Sequence, residues 1–368
     1  MSDDVVEHHE DAAGAARPPL LVIEPLRAFL DAHGLGSGPV HARPIGDGHS
    51  NPTFVLTREG AEVVLRRPPR PPLPPSSHDV LRESRVIGAL AGRAPVPAIL
   101  ATCEDPAVIG APFFLMERMA GHVLTDAVPE SLAGGEGAIA DALVDALVGL
   151  HAVDWRACGL QGFGRPAGYL ARQVRRFEGL WELSRTRDLP VFGRLATWLG
   201  DHLPESPATT IVHGDYRLGN TMYAPQAPPR VVAILDWEMS TLGDPLADVG
   251  YLCAFWVQPD DPPLRMFDLS TVTRSGGFPT RAELVARYHE RSGRSTGAIA
   301  WYQTLALWKL AVAMEGIHRR AVQGGSDDPY LAAFADGVPE LLERAAATAG
   351  VPSLTPSVRT AHPGDPCS

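Results

Sequence analysis

Lysine is nearly missing from this chain: Lys309 is the single lysine among 32 Lys and Arg residues. Arginine is therefore the residue to look for wherever a lysine would ordinarily be expected. Cysteine is scarce too. Cys103, Cys158, Cys253 and Cys367 follow no C-x-x-C spacing, which argues against a zinc knuckle or a disulfide framework. No apolar run approaches the roughly 20 residues needed to cross a bilayer. The N-terminus lacks a basic stretch followed by a hydrophobic one, so a secretory signal is not expected. These absences read as a cytoplasmic protein with no membrane partner. A basic excess is lacking as well: the formal charge of −11 disfavours nucleic acid, because phosphates seek a basic face.

What is present suits a globular chain. With 368 residues, 45% of them hydrophobic, the chain is long enough to build two packed lobes. Residues 1–19 are acidic, carry the His8–His9 pair and show no periodicity, which predicts a disordered tail. Leu21 to His33 reads as a short helix ending at Gly34. From residue 40 to 119 strands dominate. Thr53 to Thr57 and Glu62 to Arg66 flank Arg58-Glu59-Gly60 as a hairpin would, and Phe113 to Glu117 is a further strand. The Pro-rich stretch Pro68 to Pro75 must be a loop, and Val80 to Leu90 has a helical pattern.

After Gly121 helical spacing prevails, beginning with Ile139, Leu143, Leu147 and Leu150. Further helices are predicted over residues 169–183, 191–203, 281–292, 299–323 and 329–347, with short strands at 210–212 and 231–235. Residues 351–368 read as a loose tail. The result is an α+β chain: a small β-rich part over 20–119, then a larger, mainly helical part over 120–350.

Two segments carry the chemistry. In Ile211-Val-His-Gly-Asp-Tyr-Arg-Leu-Gly-Asn220, a short apolar strand delivers Asp215 into a loop, with Asn220 five residues on. In Val231-Val-Ala-Ile-Leu-Asp236-Trp-Glu238, a second strand ends at a carboxylate. Phosphoryl transfer from ATP needs a carboxylate beside the attacking hydroxyl and oxygen ligands for Mg²⁺. Asp215 suits the base, and Asn220 and Asp236 suit the metal.

These segments resemble the H-G-D-x-x-x-x-N and I-D-W-E signatures of the aminoglycoside phosphotransferase family, with Leu235 standing before the second aspartate. They parallel the H-R-D-x-x-x-x-N and D-F-G elements of protein kinases. The resemblance implies a bilobal protein-kinase-like fold, with a β-rich N-lobe over ATP and a helical catalytic and substrate-binding C-lobe. Gly46, Gly48, Ser50 and Asn51 then fall where the phosphate-covering loop belongs, although a plain polar turn gives the same residues. Arg66 stands where the resemblance implies a lysine, with Glu83 as its helix partner and Arg67 as the alternative if the register slips by one. Glu117 and Met119 fall on the adenine linker, or on a plain strand edge entering a loop. Arg217 is a candidate for a phosphate or an anionic substrate, or a brace for its own loop. Asp248 is read as structural, by helix capping and by bracing the catalytic loop.

The span from about Pro44 to Gln323 also resembles the kinase-like domains fused to some acyl-CoA dehydrogenases. Ser50-Asn-Pro-Thr53, Val64-Leu-Arg-Arg-Pro68 and Gly243-Asp-Pro-Leu-Ala-Asp248 add to the two catalytic segments here. That likeness implies ATP- and Mg²⁺-dependent transfer to the hydroxyl of a small molecule, a hydroxyacyl compound or an aminoglycoside-like metabolite. The alternative is a nucleotide-binding pseudokinase without transfer, motivated by Arg66 and the irregular glycine loop. Trp301, Trp308 and Lys309 either face an acceptor pocket or form a buried stripe on their helix.

Overall fold

The computed structural model describes residues 4–14, 17–46, 51–73, 78–206, 208–264, 271–324 and 333–352. The chain begins with a two-residue strand, β1 (Val5–Val6), which pairs in parallel with β2 (Leu21–Val22). The Asp4 carbonyl accepts from the Leu20 and Leu21 N–H groups, and Val5 packs on a hydrophobic cluster. Residues 4–14 were expected within a disordered tail and instead take an ordered place. Two consecutive valines are too short a run to show a period, and the pairing partner lies 16 residues away.

Helix α1 (Ile23–Ala32) follows and buries Ile23, Leu26 and Leu30, and Gly34 with φ of +66° comes just beyond it. Strands β3 (Ser37–Ile45), β4 (Thr53–Glu59) and β5 (Ala61–Arg66) form an antiparallel meander. Gly60, at φ of +79°, turns β4 into β5 as the hairpin pattern predicts. Helix α2 (Val80–Leu90) comes next, its Asp79 N-cap accepting from the Arg82 N–H at 2.9 Å. Then come β6 (Ile99–Cys103) and β7 (Phe113–Glu117), which complete a five-stranded sheet in the order β3-β4-β5-β7-β6. Because strand side chains alternate, Val63 and Leu65 enter the hydrophobic cluster while Val64 and Arg66 face the other way. Each fully buried aliphatic side chain in that cluster contributes about 1.5–3 kcal/mol.

Strand β8 (His122–Val123) precedes helix α3 (Glu136–Ala152), whose Ile139, Leu143, Leu147 and Leu150 are buried at the spacing seen in the sequence. Helices α4 (Tyr169–Ser184) and α5 (Pro190–Asp201) follow, then β9 (Thr210–Val212), β10 (Thr221–Tyr223), β11 (Val231–Ile234) and β12 (Thr241–Gly243). These short strands form two small sheets, β11-β10-β8 and β12-β9. Helices α6 (Leu246–Phe255), α7 (Arg281–Ser292), α8 (Ile299–Gly324) and α9 (Phe334–Ala349) end the described chain.

Two compact units result. One holds every strand with α1, α2, α3, α6 and α7; the other holds α4, α5, α8 and α9. In the second unit Trp301 and Trp308 are buried, their indole N–H groups donating to Leu199 and Phe192 carbonyls at 3.1 and 3.3 Å. Trp308 also stacks on Phe192, 4.8 Å between ring centres. The tryptophans are therefore a buried stripe, and the Lys309 ammonium sits 4.8 Å over the Phe177 ring. Among the described residues no helix is long and apolar enough to cross a membrane.

Candidate active site

The site lies in the first unit and starts at the end of β9. His213-Gly214-Asp215 leaves the strand through Gly214, at φ of +88°, where a Cβ would come 2.7 Å from the Met239 carbonyl oxygen. Only glycine fits both the left-handed backbone and that approach. The fully buried Asp248 of α6 fixes this turn: Oδ2 accepts from the His213 N–H at 2.7 Å and Oδ1 from the Gly214 N–H at 2.8 Å. Behind it, His151 of α3 contacts Asp248 at 3.2 Å through Nε2 and the Tyr288 hydroxyl of α7 at 2.8 Å through Nδ1. Asp248 thus braces the loop, while capping belongs to Asp244, whose Oδ1 accepts from the Leu246 N–H at 2.9 Å.

Asp215 is one-fifth exposed and held from two sides. The Asn220 Nδ2 donates to its Oδ2 at 2.7 Å and to its backbone carbonyl at 2.8 Å. The Arg217 Nε donates to its Oδ1 at 3.3 Å, and the Arg217 guanidinium lies 5.3 Å from the Phe255 ring centre. Burial, and next the nearby Asp215 carboxylate, push the Tyr251 phenol well above its usual range. The two sequence segments meet through the backbone: the Leu235 N–H donates to the Asn220 carbonyl at 2.8 Å, and His213 Nε2 lies 2.9 Å from the Leu235 carbonyl.

Asp236 follows β11 with φ of 63° and ψ of 68°, a left-handed conformation that costs a non-glycine residue about 1–3 kcal/mol. Arg66 reaches it from β5. Its Nη2 lies 2.5 Å from Asp236 Oδ1, its Nε 2.9 Å from Glu83 Oε2, and its Nη1 3.3 Å from Thr53 Oγ1. Glu238 Oε2 is 4.0 Å away. Glu83 is buried, and its Oε1 accepts from the Trp237 N–H at 3.3 Å. Burial pushes the Glu83 carboxyl up to about 7, against the opposing attraction of Arg66. Helix α2 is pinned beside this pair by Arg82, which donates to the Phe163 and Ser240 carbonyls at 3.1 and 2.7 Å and covers the Phe163 ring.

A cavity of about 380 Å³ opens against these groups. Gly46, Arg66, Glu83, Glu117, Met119 and Asp236, all named from the sequence, line it, together with apolar Val55, Val64 and Ile234. Asn51 joins by donating to Glu83 Oε2 at 3.4 Å and to Glu238 Oε2 at 3.2 Å. Asp215, Arg217 and Asn220 form their own cluster, joined to the cavity wall through Leu235. Gly48 and Ser50 lie outside the described residues. Arg67 faces away, its guanidinium buried among the Leu20, Ile109 and Pro68 carbonyls, so the register does not slip. Glu117 is tied down at the linker, its N–H donating to the Ala98 carbonyl at 2.8 Å.

Three members of the network were not singled out from the sequence: Glu238, Tyr251 and His78, whose Nδ1 lies 2.9 Å from Asn51 Oδ1. Glu238 was in plain view inside the second motif. Among the described residues no three His, Cys, Asp or Glu side chains gather to hold a metal. The oxygen donors available suit Mg²⁺ nonetheless. The Asn220 amide nitrogen is committed to Asp215, so its oxygen would be the atom that faces a cation, and Asp236 has a carboxylate at the cavity. Mg²⁺ typically takes one or two such protein ligands and completes its shell with phosphates and water.

Comparison with known proteins places this geometry. The model of the phosphotransferase enzyme family (APH) matches residues 41–304. Mouse acyl-CoA dehydrogenase family member 10 is 36% identical over 303 residues, which are 81% of this chain and 28% of the mouse protein. The chain therefore spans little more than a quarter of that relative's length. A solved structure from Ralstonia eutropha, a candidate aminoglycoside phosphotransferase, is 36% identical with a TM-score of 0.75, covering 89% of this chain and 98% of that one. The aminoglycoside phosphotransferase APH(4)-Ia, solved with AMP-PNP and hygromycin B, shares the fold at a TM-score of 0.55 and 16% identity, over 88% of this chain and 99% of that one. The α+β architecture is thus kinase-like, and the chain belongs to the phosphotransferase enzyme family.

Proposed function

We propose that this protein is a small-molecule kinase that moves the γ-phosphoryl group of ATP onto an acceptor hydroxyl, with Mg²⁺. The observation that carries the reading is the loop from β9. It holds Asp215 oriented by Asn220 at 2.7 Å, and the same Asn220 is bonded through its carbonyl to the residue before Asp236. Asp215 would take the proton of the acceptor hydroxyl as that oxygen bonds to the γ-phosphorus. The bond from the γ-phosphorus to the β,γ-bridging oxygen breaks, and ADP leaves. Asn220 and Asp236 would hold Mg²⁺, which neutralises charge on the β- and γ-phosphates. Arg66, kept on Glu83, would engage the phosphates, and the linker through Glu117 and Met119 would take the adenine. Arg217 beside Asp215 favours an acceptor with an anionic group, a hydroxyacyl compound, over a polycation such as an aminoglycoside.

The test is Mg²⁺-dependent ADP release across hydroxyacyl-CoA compounds, aminoglycosides and simple amino alcohols, with Asp215→Asn as control. A signal that one acceptor class elicits, and that the variant lowers, supports the reading. Full turnover by Asp215→Asn would remove Asp215 from its role. The reading as a pseudokinase is favoured by Arg66 in place of lysine, and it predicts stabilisation by nucleotide with no acceptor-dependent ADP release.

A further inference from the structure

Arg66 joins three elements of the site at once. Its three nitrogens are divided among three partners: Nε on Glu83 at 2.9 Å, Nη2 on Asp236 at 2.5 Å and Nη1 on Thr53 at 3.3 Å. The side chain is 11% exposed, and Glu238 Oε2 stands 4.0 Å off. A lysine ammonium concentrates its charge and its three donors on one atom, whereas the planar fork of arginine presents a separate nitrogen to each partner. The positive charge at the mouth of β11 is thus supplied by Arg66, a residue of the chain itself.

We propose that Arg66 is an internal counter-cation at Asp236, so that a divalent cation gains this carboxylate only when nucleotide arrives with it. The inference rests on the reading of the cavity as a nucleotide and Mg²⁺ site. A free cation approaching Asp236 meets a carboxylate oxygen already taken, with a guanidinium 2.5 Å from it, and both the occupancy and the like charge oppose binding. Nucleotide changes the balance. Its phosphates offer Nη2 a new anionic acceptor while Nε stays on Glu83, and Asp236 is released to the metal. Arg66 thereby sets the order of loading and is a positioning residue for the metal ligand.

Mn²⁺ binding to the whole chain without nucleotide, followed from the signal of free Mn²⁺ in electron paramagnetic resonance, tests this directly. Arg66→Gln removes the positive charge from beside Asp236. It should bind Mn²⁺ alone at least roughly tenfold more tightly than wild type, as expected when a close competing cation is withdrawn. Adding Asp236→Asn to that variant should abolish the gain, which assigns it to this carboxylate. If Arg66→Gln does not fold, by circular dichroism, Arg66→Met supplies the same comparison. Equal Mn²⁺ affinity in wild type and variant, whether strong or absent, overturns the proposal. A separate arm with AMP-PNP and Mn²⁺ reads the site itself. If wild type binds no AMP-PNP, the nucleotide reading fails, while the metal-only comparison still decides whether Arg66 shields Asp236.

Discussion

The two sides of the site are held by different means. The loop from His213 to Asn220 is fixed by short, directional bonds, most of which involve the backbone: the His213 and Gly214 N–H groups donate to Asp248, the Asn220 side-chain amide to the Asp215 carboxylate and carbonyl, and the Leu235 N–H to the Asn220 carbonyl. The side that carries Arg66, Glu83, Asp236 and Glu238 is instead a cluster of charges with one guanidinium at its centre. A backbone-braced loop has one arrangement and resists change. A charge cluster can redistribute its partners when a new charge enters, so precision sits where a proton would move and adaptability where a ligand would load.

Four substitutions break or sharpen that contrast. Asp215→Asn keeps the shape of the loop and should lower acceptor-dependent turnover by about 10²–10⁴-fold, with nucleotide affinity little altered. Steady-state kinetics beside calorimetric titration of AMP-PNP separate the two quantities, and a parallel loss of affinity would count against the division. Asp248→Ala strands two buried N–H donors and should cost about 2–6 kcal/mol in urea unfolding, from roughly 1–3 kcal/mol for each donor. Gly214→Ala puts a Cβ into a left-handed turn already closed by Met239, and a loss of about 1–3 kcal/mol is expected in the same measurement.

The smallest effect concerns the charge cluster. The Glu83 carboxyl is raised from the usual 4.5 to about 7, so the folded protein holds this proton more tightly than the unfolded chain does. The stability it contributes is complete below about 4.5 and is lost as pH rises through about 7. Relative to Glu83→Gln, wild type should therefore lose stability across that interval. Melting temperatures of the two proteins at steps of pH give the difference. A difference that does not change with pH would mean that Arg66 keeps Glu83 ionised throughout.

Much of this site could be read from the sequence because its acids terminate apolar strands. Thr210–Val212 and Val231–Ile234 are strong β runs, and each ends within a few residues of a candidate carboxylate, Asp215 or Asp236. Alternation along β5 likewise separates Arg66 from Arg67 before any coordinates are known. What stayed hidden depends on segments far apart in the chain. Asn51 meets Glu238 across 187 residues and His78 across 27, and no local pattern reports either contact. The division of labour between Asp244 and Asp248 was hidden for another reason. Both are acids near a helix start, and only the path of the preceding loop decides which one caps and which one braces.

The near absence of lysine has a practical side. Acyl-phosphate derivatives of nucleotides mark kinases by acylating an amine next to the phosphates, and the cavity proposed to take nucleotide presents the Arg66 guanidinium instead. Such reagents should pass over this protein in a profiling experiment even when nucleotide occupies it. Amine chemistry would report instead on Lys309, which sits over Phe177 in the other unit, and on the chain's α-amino group. A chain with one side-chain amine thus offers such reagents no lysine among the residues that line this cavity.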